Sequence, residues 1–301
     1  MNIMDIVEWV IDKENFCKIE DYIDFTKDYL EFVKEGLQAV IVSQNENHYE
    51  FYQYDRQADF RITRPLNSSL MYSANEESEI NEFLEIIKNI RDIPKNDFYR
   101  RKVIIRSIYT FQQCIGAALD ALPVGQSNRA RKINGDLFER LIQLLIKRVG
   151  VHCRTVTIQV PVKIDGQTVF NMQYQHDLLI NALENPQELR AIGSVKTSSK
   201  DRIGKIFVDK LLYSKLTGTS LPHIAIFLND VQRKKTSEEN EYGINSTFLS
   251  GHFKGYTVNL NPLDGVYYCD IRPNMQTEPI LKEHIKTIDH FFCSDLWLLV
   301  Q

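Results

Sequence analysis

An α/β fold is the structure that the sequence predicts, and the spacing of apolar residues in its second half is the main reason. An apolar stripe at helical spacing precedes three strand-like runs, which are followed by another helix and a buried strand. The dipeptides Asp165–Gly166 and Asn185–Pro186 are typical of turns between such strands. The predicted elements are a helix over 134–149, strands over 154–164, 168–183 and 188–197, a helix over 201–216 and a strand over 223–228. Their order is α-β-β-β-α-β.

The segments on either side of this core have patterns of their own. Before the core, they predict acidic amphipathic helices over 3–40, a strand, turn and strand over 41–54, and helices over 76–93 and 98–121, followed by the loop LPVGQSNRARKING. After the core, residues 242–301 are predicted to form loops and strands, with a last helix at about 279–292. We therefore divide the chain into an acidic, mainly helical N-terminal part, 1–95, and a second part, 96–301.

The charge of the chain is unevenly distributed between these two parts. Residues 1–95 contain 10 basic and 20 acidic residues, a net charge of −10, whereas the remainder contains 26 basic and 20 acidic residues, a net charge of +6. The overall value of −4 hides this difference. A basic C-terminal part is compatible with a polyanionic partner such as nucleic acid.

Several classes of protein are disfavoured by the sequence. Its first residues lack the basic start of a signal peptide, and no apolar run approaches the length of a membrane span. The five cysteines are scattered without a CxxC pair, as expected of reduced thiols, and the seven histidines form no zinc-binding set. No phosphate-binding GxxxxGK[ST] motif occurs. We therefore expect a cytoplasmic bacterial protein.

Asp177 and Lys196 are the residues that point to chemistry. If the strands over 168–183 and 188–197 pair around Asn185–Pro186, then Asp177 lies opposite Ser194, and Lys196 is diagonally next on the same face. Both charged groups have apolar neighbours in the sequence, so each needs a partner. A Mg²⁺ ion bound by Asp177 beside Lys196 would serve phosphodiester hydrolysis, although a plain cross-strand ion pair has the same pattern.

Two further carboxylates are candidates for this site. Glu139 lies on the helix that precedes the three strands, from which it could reach the sheet; alternatively, it is a solvated helix residue. Asp209 lies among apolar residues on the helix that follows, and the ordinary alternative is a surface aspartate paired with Lys205 or Arg202. His176 is either a residue behind the site or simply a buried sheet residue.

Residues 127–230 resemble the type II restriction endonucleases that read CCGG, CCWGG or CCNGG sites, which belong to the PD-(D/E)XK nuclease superfamily. The resemblance is strongest in SVKTSSKDR and continues through YGINSTFLSGHFKGYTV and LDGVYYCD. It implies a PD-(D/E)XK core, with a mixed central sheet flanked by helices, in the part 96–301.

The resemblance also implies roles for individual residues. Lys196 matches the catalytic lysine, and Asp209 matches the second acidic residue, which has moved from the strand position of Ser194 to the following helix. The family usually has Glu there. Asp177 and Asp209 would hold Mg²⁺, with Asp165 in reserve for Asp177 because the spacing from Asp177 to Lys196 is short for this group.

The basic segments receive DNA-binding roles in the same way. Lys200, Asp201 and Arg202 match the segment that reads guanine and cytosine edges, and these side chains have the hydrogen-bonding groups for it. Arg129, Arg131 and Lys132, which precede the predicted helix of Glu139, are candidates for phosphate contacts, with a solvated loop as the alternative.

The expected function is therefore Mg²⁺-dependent cleavage of both DNA strands at a short palindrome with a CC(N)GG core, leaving 5′ overhangs. Reading a palindrome favours at least a homodimer, and the resemblance raises the further expectation of an extruded central nucleotide. A cognate DNA methyltransferase would protect the same site. The alternatives are another PD-(D/E)XK nuclease, for repair or junction resolution, and a non-catalytic DNA-binding protein.

Overall fold

The computed structural model describes residues 2–54, 62–200, 202–238 and 241–301. Within these ranges, no helix has the length and apolar composition needed to cross a membrane.

The N-terminal part contains helices and a small sheet. Its elements, together with the long helix that follows, are α1 (Ile3–Ile11), α2 (Ile19–Gly36), β1 (Ala39–Val42), β2 (Tyr49–Gln53), β3 (Leu66–Asn67), α3 (Glu77–Lys88) and α4 (Phe98–Leu119). The strands form an antiparallel sheet in the order β1-β2-β3. The side chain of Asn2 caps α1 by accepting hydrogen bonds from the backbone N–H groups of Met4 and Asp5. The predicted helices and strands of this part are thus present, with α3 ending at Lys88, earlier than expected.

The predicted α-β-β-β-α-β order is present in the centre of the chain. It consists of α5 (Ser127–Arg148), β4 (Cys153–Ile164), β5 (Gln167–Asn181), β6 (Leu189–Ser198), α6 (Ile203–Thr217) and β7 (His223–Asn229). Asp165 and Gly166 join β4 to β5 with φ angles of 50° and 81°. Positive φ at both central residues is what a type I′ hairpin turn requires, and Asp-Gly is one of the dipeptides that favour this turn.

The remaining residues extend the sheet and cover it. They form β8 (Val231–Lys235), β9 (Tyr242–Ser246), α7 (Ser250–Asn259), β10 (Gly265–Tyr268), α8 (Pro273–Thr277), α9 (Pro279–His284), β11 (Ile285–Thr287), α10 (Ile288–His290), a π-helical turn (Phe291–Asp295) and α11 (Leu296–Val300). The central sheet has the order β11-β10-β7-β6-β5-β4. It is mixed, because β4, β5 and β6 pair antiparallel, whereas β6, β7, β10 and β11 pair parallel.

Helices cover both faces of this sheet. One core unites α1, α2, α4, α5 and the C-terminal helices with one face of the strands, and it contains buried residues from both sides of position 95. A second core places α6 and α7 against the other face. The protein is therefore a layered α/β structure, in which α5 and α6 lie on opposite sides of β6.

Two expectations about secondary structure were wrong. The basic loop before the Glu139 helix is part of that helix, because α5 already begins at Ser127. Ala130 and Ile133 are buried there, and this packing outweighs the helix-breaking tendency of Gly135. The predicted helix at about 279–292 is interrupted, because Ile285–Thr287 pairs with β10 as an edge strand. The conformation of this segment is therefore determined by its pairing with β10, which no local sequence pattern reveals.

Candidate active site

The ammonium group of Lys196 lies between two carboxylates. Its Nζ atom is 2.5 Å from Oδ2 of Asp177 and 2.9 Å from Oε1 of Glu139. The three side chains come from β6, β5 and α5, and they are only partly exposed. The structure thus brings together three of the four residues that the sequence nominated for catalysis.

A β-bulge in β5 places Asp177 at this site. Arg154 pairs with Leu179, and Val156 pairs with His176, so two residues of β5 lie opposite one residue of β4. His176 packs against Tyr213 of α6, at 6.2 Å between ring centroids. Leu178, two residues later, belongs to the core that contains α5. In a regular strand, His176 and Leu178 would lie on the same face of the sheet. Here they lie on opposite faces, because the extra residue at Asp177 reverses the alternation of side chains along β5.

The hydrogen bonds around Asp177 hold its carboxylate and its backbone. The last hydrogen-bonded pair between β5 and β6 is Leu178 with Gly193. If the same register continued by one residue, Asp177 would lie opposite Ser194, as the sequence predicts. Beyond that point, the backbone N–H of Val195 donates to Oδ2 of Asp177 at 2.9 Å. The carboxylate therefore has a fixed position where the two strands separate.

Gln143 is a site residue that the sequence analysis missed. Its Nε2 donates to the backbone carbonyl of Asp177 at 3.1 Å, and the Thr155 hydroxyl donates to the same oxygen at 3.1 Å. Gln143 is one helical turn after Glu139 on α5, so both residues lie on the same helix face. The spacing of four residues from Glu139 could have indicated Gln143. However, the sequence does not distinguish a polar residue that holds a β-bulge from one that is simply exposed to solvent.

The electrostatics of the cluster keep Lys196 charged. Burial alone would lower the pKa of the Lys196 ammonium, but Asp177 and Glu139 outweigh this effect, so its pKa is raised. Burial raises the pKa of the Glu139 carboxyl, and the nearby charge of Asp177 adds to the effect, while Lys196 opposes it. The site therefore has a permanent cation between two acidic groups.

Asp209 and Asp165 lie elsewhere. Asp209 is on α6, where its Oδ2 pairs with Nζ of Lys205 at 2.5 Å, which is the surface pair that the sequence analysis gave as the alternative. Burial lowers the pKa of the nearby His176, and the charges of Asp209 and Asp177 oppose this effect without overcoming it. Asp165 is in the exposed turn at the far end of β5 from Asp177, roughly 40 Å away along the strand at ~3.3 Å per residue.

Those of the predicted DNA-binding residues that the structure describes are exposed. Lys200 follows β6, and its Nζ donates to Oε1 of Gln232 on β8 at 3.0 Å. Arg202 immediately precedes α6. Asp201 lies outside the described residues.

The second basic group belongs to the first turns of α5. Arg129 and Arg131 contact Gln126 and Asn128, respectively, within that segment. Lys132 is two helical turns before Glu139, so the two residues face the same side of α5. These exposed cations are therefore carried by the helix that also supplies a carboxylate to the site.

The chemistry of the donor groups fits Mg²⁺. This ion takes oxygen ligands and keeps several waters, so one or two carboxylates suffice to hold it. Asp177 and Glu139 are two such groups, and both contact the same ammonium. Within the described ranges, no group of three acidic, His or Cys side chains is arranged to hold a metal. Water would therefore have to supply the other ligands.

No protein-family model matches the chain, and no curated protein matches it. The crystal structure of the type IIP restriction endonuclease Kpn2I matches with a TM-score of 0.69 and 15% sequence identity, over 99% of this chain and 97% of that chain. A complex of restriction endonuclease PspGI with substrate DNA matches with a TM-score of 0.38 and 12% identity, over 73% of this chain and 92% of that chain, which is too low to add to the argument. The chain therefore has a restriction-endonuclease-like fold, with a mixed central sheet flanked by helices, as predicted.

Proposed function

We propose that this protein is a type II restriction endonuclease that hydrolyses both strands of a short palindromic DNA site with Mg²⁺. The observation that carries this proposal is the position of the Lys196 ammonium between Asp177 and Glu139, where β5 and β6 separate. The restriction-endonuclease-like fold supports it. In an ordinary surface ion pair, neither a bulge nor a second carboxylate would be needed.

Each residue of the cluster has a chemical task in this proposal. Asp177 and Glu139 would hold Mg²⁺, with Asp209 as the further carboxylate that the family resemblance implies. When held there, the ion would supply a lowered pKa for a water molecule and positive charge beside the phosphate. Lys196, which remains an ammonium, orients the attacking water or contacts a phosphate oxygen, adding positive charge where negative charge develops. Gln143 and the N–H of Val195 keep Asp177 in place.

In this proposal, the two basic segments bind the DNA and recognise its sequence. Lys200, Asp201 and Arg202 would read a CC(N)GG core, while Arg129, Arg131 and Lys132 would contact phosphates. A palindrome read by a two-fold homodimer places one active site on each strand. Cleavage that leaves 5′ overhangs, extrusion of a central nucleotide, and a methyltransferase that protects the same site complete the proposal.

A plasmid library provides a direct test. The purified protein is incubated with the library and Mg²⁺, and the ends of all products are sequenced. Protein with Lys196→Ala, prepared identically, controls for contaminating nucleases. We expect double-strand breaks at one palindrome and 5′ overhangs. Cuts at junctions or lesions without a common sequence would indicate a repair or junction-resolving nuclease, and binding without cleavage would indicate a non-catalytic protein.

A further inference from the structure

The hairpin of β8 and β9, here called the ribbon, is a two-stranded antiparallel sheet outside the central sheet. Among the described residues, the cluster of Asp177, Glu139 and Lys196 makes its hydrogen bonds without the ribbon. It begins two residues after β7, the strand that is paired directly with β6. The ribbon is therefore close to the candidate site in the fold, although it is not part of it.

The ribbon is held firmly by one face and one edge. On the inner face, Val231 and Ile244 pack in a small core with Tyr49 and Phe51 of β2. At the edge, the side chain of Asn45 accepts a hydrogen bond from the N–H of Ile244 and donates one to its carbonyl, both at 2.9 Å. These contacts resemble the support that a rigid recognition element needs.

The outward face carries amide and basic side chains. Gln232 is directly opposite Asn245 across the ribbon, and Lys234 is opposite Gly243. Because side chains alternate along a strand, these residues are on the face opposite to Val231 and Ile244. Asn245 and Lys234 are exposed, and Gln232 is partly exposed.

Two contacts join the ribbon and the residue that follows it to the end of β6. Lys200 Nζ donates to Gln232 Oε1 at 3.0 Å, so a proposed base-reading residue touches the ribbon directly. The hydroxyls of Ser198 and Thr247 are 3.4 Å apart, which ties the end of β6 to the residue after β9. Ser198 is two residues after Lys196. The outward face thus continues the surface on which the DNA is proposed to lie.

We propose that the outward face of the ribbon enters the major groove and that Gln232 and Asn245 read an adenine beside the base pairs contacted by residues 200–202. This inference rests on the proposed function. The major groove admits a two-stranded ribbon, and Asn and Gln are the side chains that bond adenine through N6 and N7. Lys234 contacts a neighbouring phosphate or guanine.

Selection from randomised duplexes in the absence of Mg²⁺ tests this, because binding is then measured without cleavage. The variants are Asn245→Ala and Gln232→Ala, each checked for folding by thermal melting. Asn245→Ala is the sharper variant, since Gln232 also holds Lys200. The matched control is the double variant Gln159→Ala with Gln173→Ala, which removes an exposed cross-strand amide pair from β4 and β5.

We expect the native protein and the control to select a core flanked by a fixed A·T pair on each side. Asn245→Ala should lose about 5- to 150-fold of the preference at that pair and keep the core. Equal weakening on all sequences, or an unchanged preference in both variants, would overturn the base-reading role alone. A native protein that selects no sequence at all would overturn the proposed site-specific function, and this inference with it.

Discussion

Oδ2 of Asp177 lies 2.5 Å from Nζ of Lys196, although the hydrogen-bonded pairing of their two strands has already ended at Leu178 and Gly193. The contact thus belongs to the gap between diverging strands and differs from a cross-strand pair on a flat sheet. In this gap the backbone N–H of Val195 holds the Asp177 carboxylate, and the side chains of Lys196 and Glu139 remain partly exposed.

Lys196→Ala should abolish cleavage by orders of magnitude, because it removes the only group that balances the two carboxylates in the described contacts of the cluster. Binding of specific DNA should stay within roughly tenfold, since base and phosphate contacts are made elsewhere. Single-turnover cleavage and fluorescence anisotropy measure the two effects separately. Lys215→Ala, an exposed lysine on α6, is the control. Near-normal turnover by Lys196→Ala would remove the central claim.

Local patterns predicted the core of the fold well. The three strands and their flanking helices follow from apolar spacing and from turn dipeptides such as Asp165–Gly166, whose backbone angles are dictated by the residues themselves. The extra turns at the start of α5 and the edge strand at Ile285–Thr287 depend on tertiary packing, so no window of sequence contains them.

The candidate site could be predicted only in part, and the bulge shows why. Asp177 and Lys196 were found because charged residues in apolar runs need partners. The face of Asp177 depends on one extra residue in β5 that is recognisable only from its pairing with β4. Contacts of Gln143 and Val195 with Asp177 likewise connect residues far apart in sequence.

Arg202→Ala and Arg131→Ala should affect DNA binding differently. Loss of Arg202 should cost about 1–3 kcal/mol of discrimination at one G·C pair, because an arginine fork reads guanine. Loss of Arg131 should weaken binding to all sequences and make the salt dependence shallower by about one unit. Titrations of specific and random duplexes over a range of salt concentrations measure both. If the two variants lost affinity equally on both duplexes, Arg202 would not be a base-reading residue.

Asp270 should make stability depend on pH. It is buried, accepts hydrogen bonds from Tyr49 and Asn67, and burial raises its pKa from 3.8 to about 6. The native state therefore keeps a proton that the unfolded chain has lost, so this group's contribution to the free energy of unfolding falls as pH rises from about 4 to 6. Asp270→Asn should remove this pH-dependent decrease in the free energy of unfolding.

The measurement is the difference in free energy of unfolding between Asp270→Asn and native protein, by urea denaturation across this pH range. The difference should shift in favour of the variant by up to ~3 kcal/mol, which corresponds to about two pKa units. The exposed Asp92, changed to Asn, serves as the control. A difference that stays constant from pH 4 to 7 would show that Asp270 does not titrate in this window.

Asp209 is the residue for which the family resemblance and the local contacts differ most. The resemblance makes it the second carboxylate at Mg²⁺, thirteen residues after Lys196, whereas its ion-pair contact is with Lys205, and Glu139 contacts Lys196 instead. A surface ion pair such as that of Asp209 with Lys205 contributes well under ~1 kcal/mol. Its loss should therefore cost little stability, so a loss of cleavage in an Asp209 variant would indicate a role at the metal, although α6 lies on the opposite side of β6 from α5.

Asp209→Asn keeps the shape of the side chain and removes its charge. It should nearly eliminate cleavage and raise the Mg²⁺ concentration that is needed, because a carboxylate ligand is lost. Asp209→Glu should retain some activity, and Lys205→Ala, which removes only the surface partner, should cleave at close to the native rate. Glu139→Gln, measured beside it over a Mg²⁺ titration, shows how much the other acidic group contributes. Cleavage by Asp209→Asn at more than about a tenth of the native rate, together with a loss in Glu139→Gln, would leave Asp177 and Glu139 as the metal-binding carboxylates and remove Asp209 from the site.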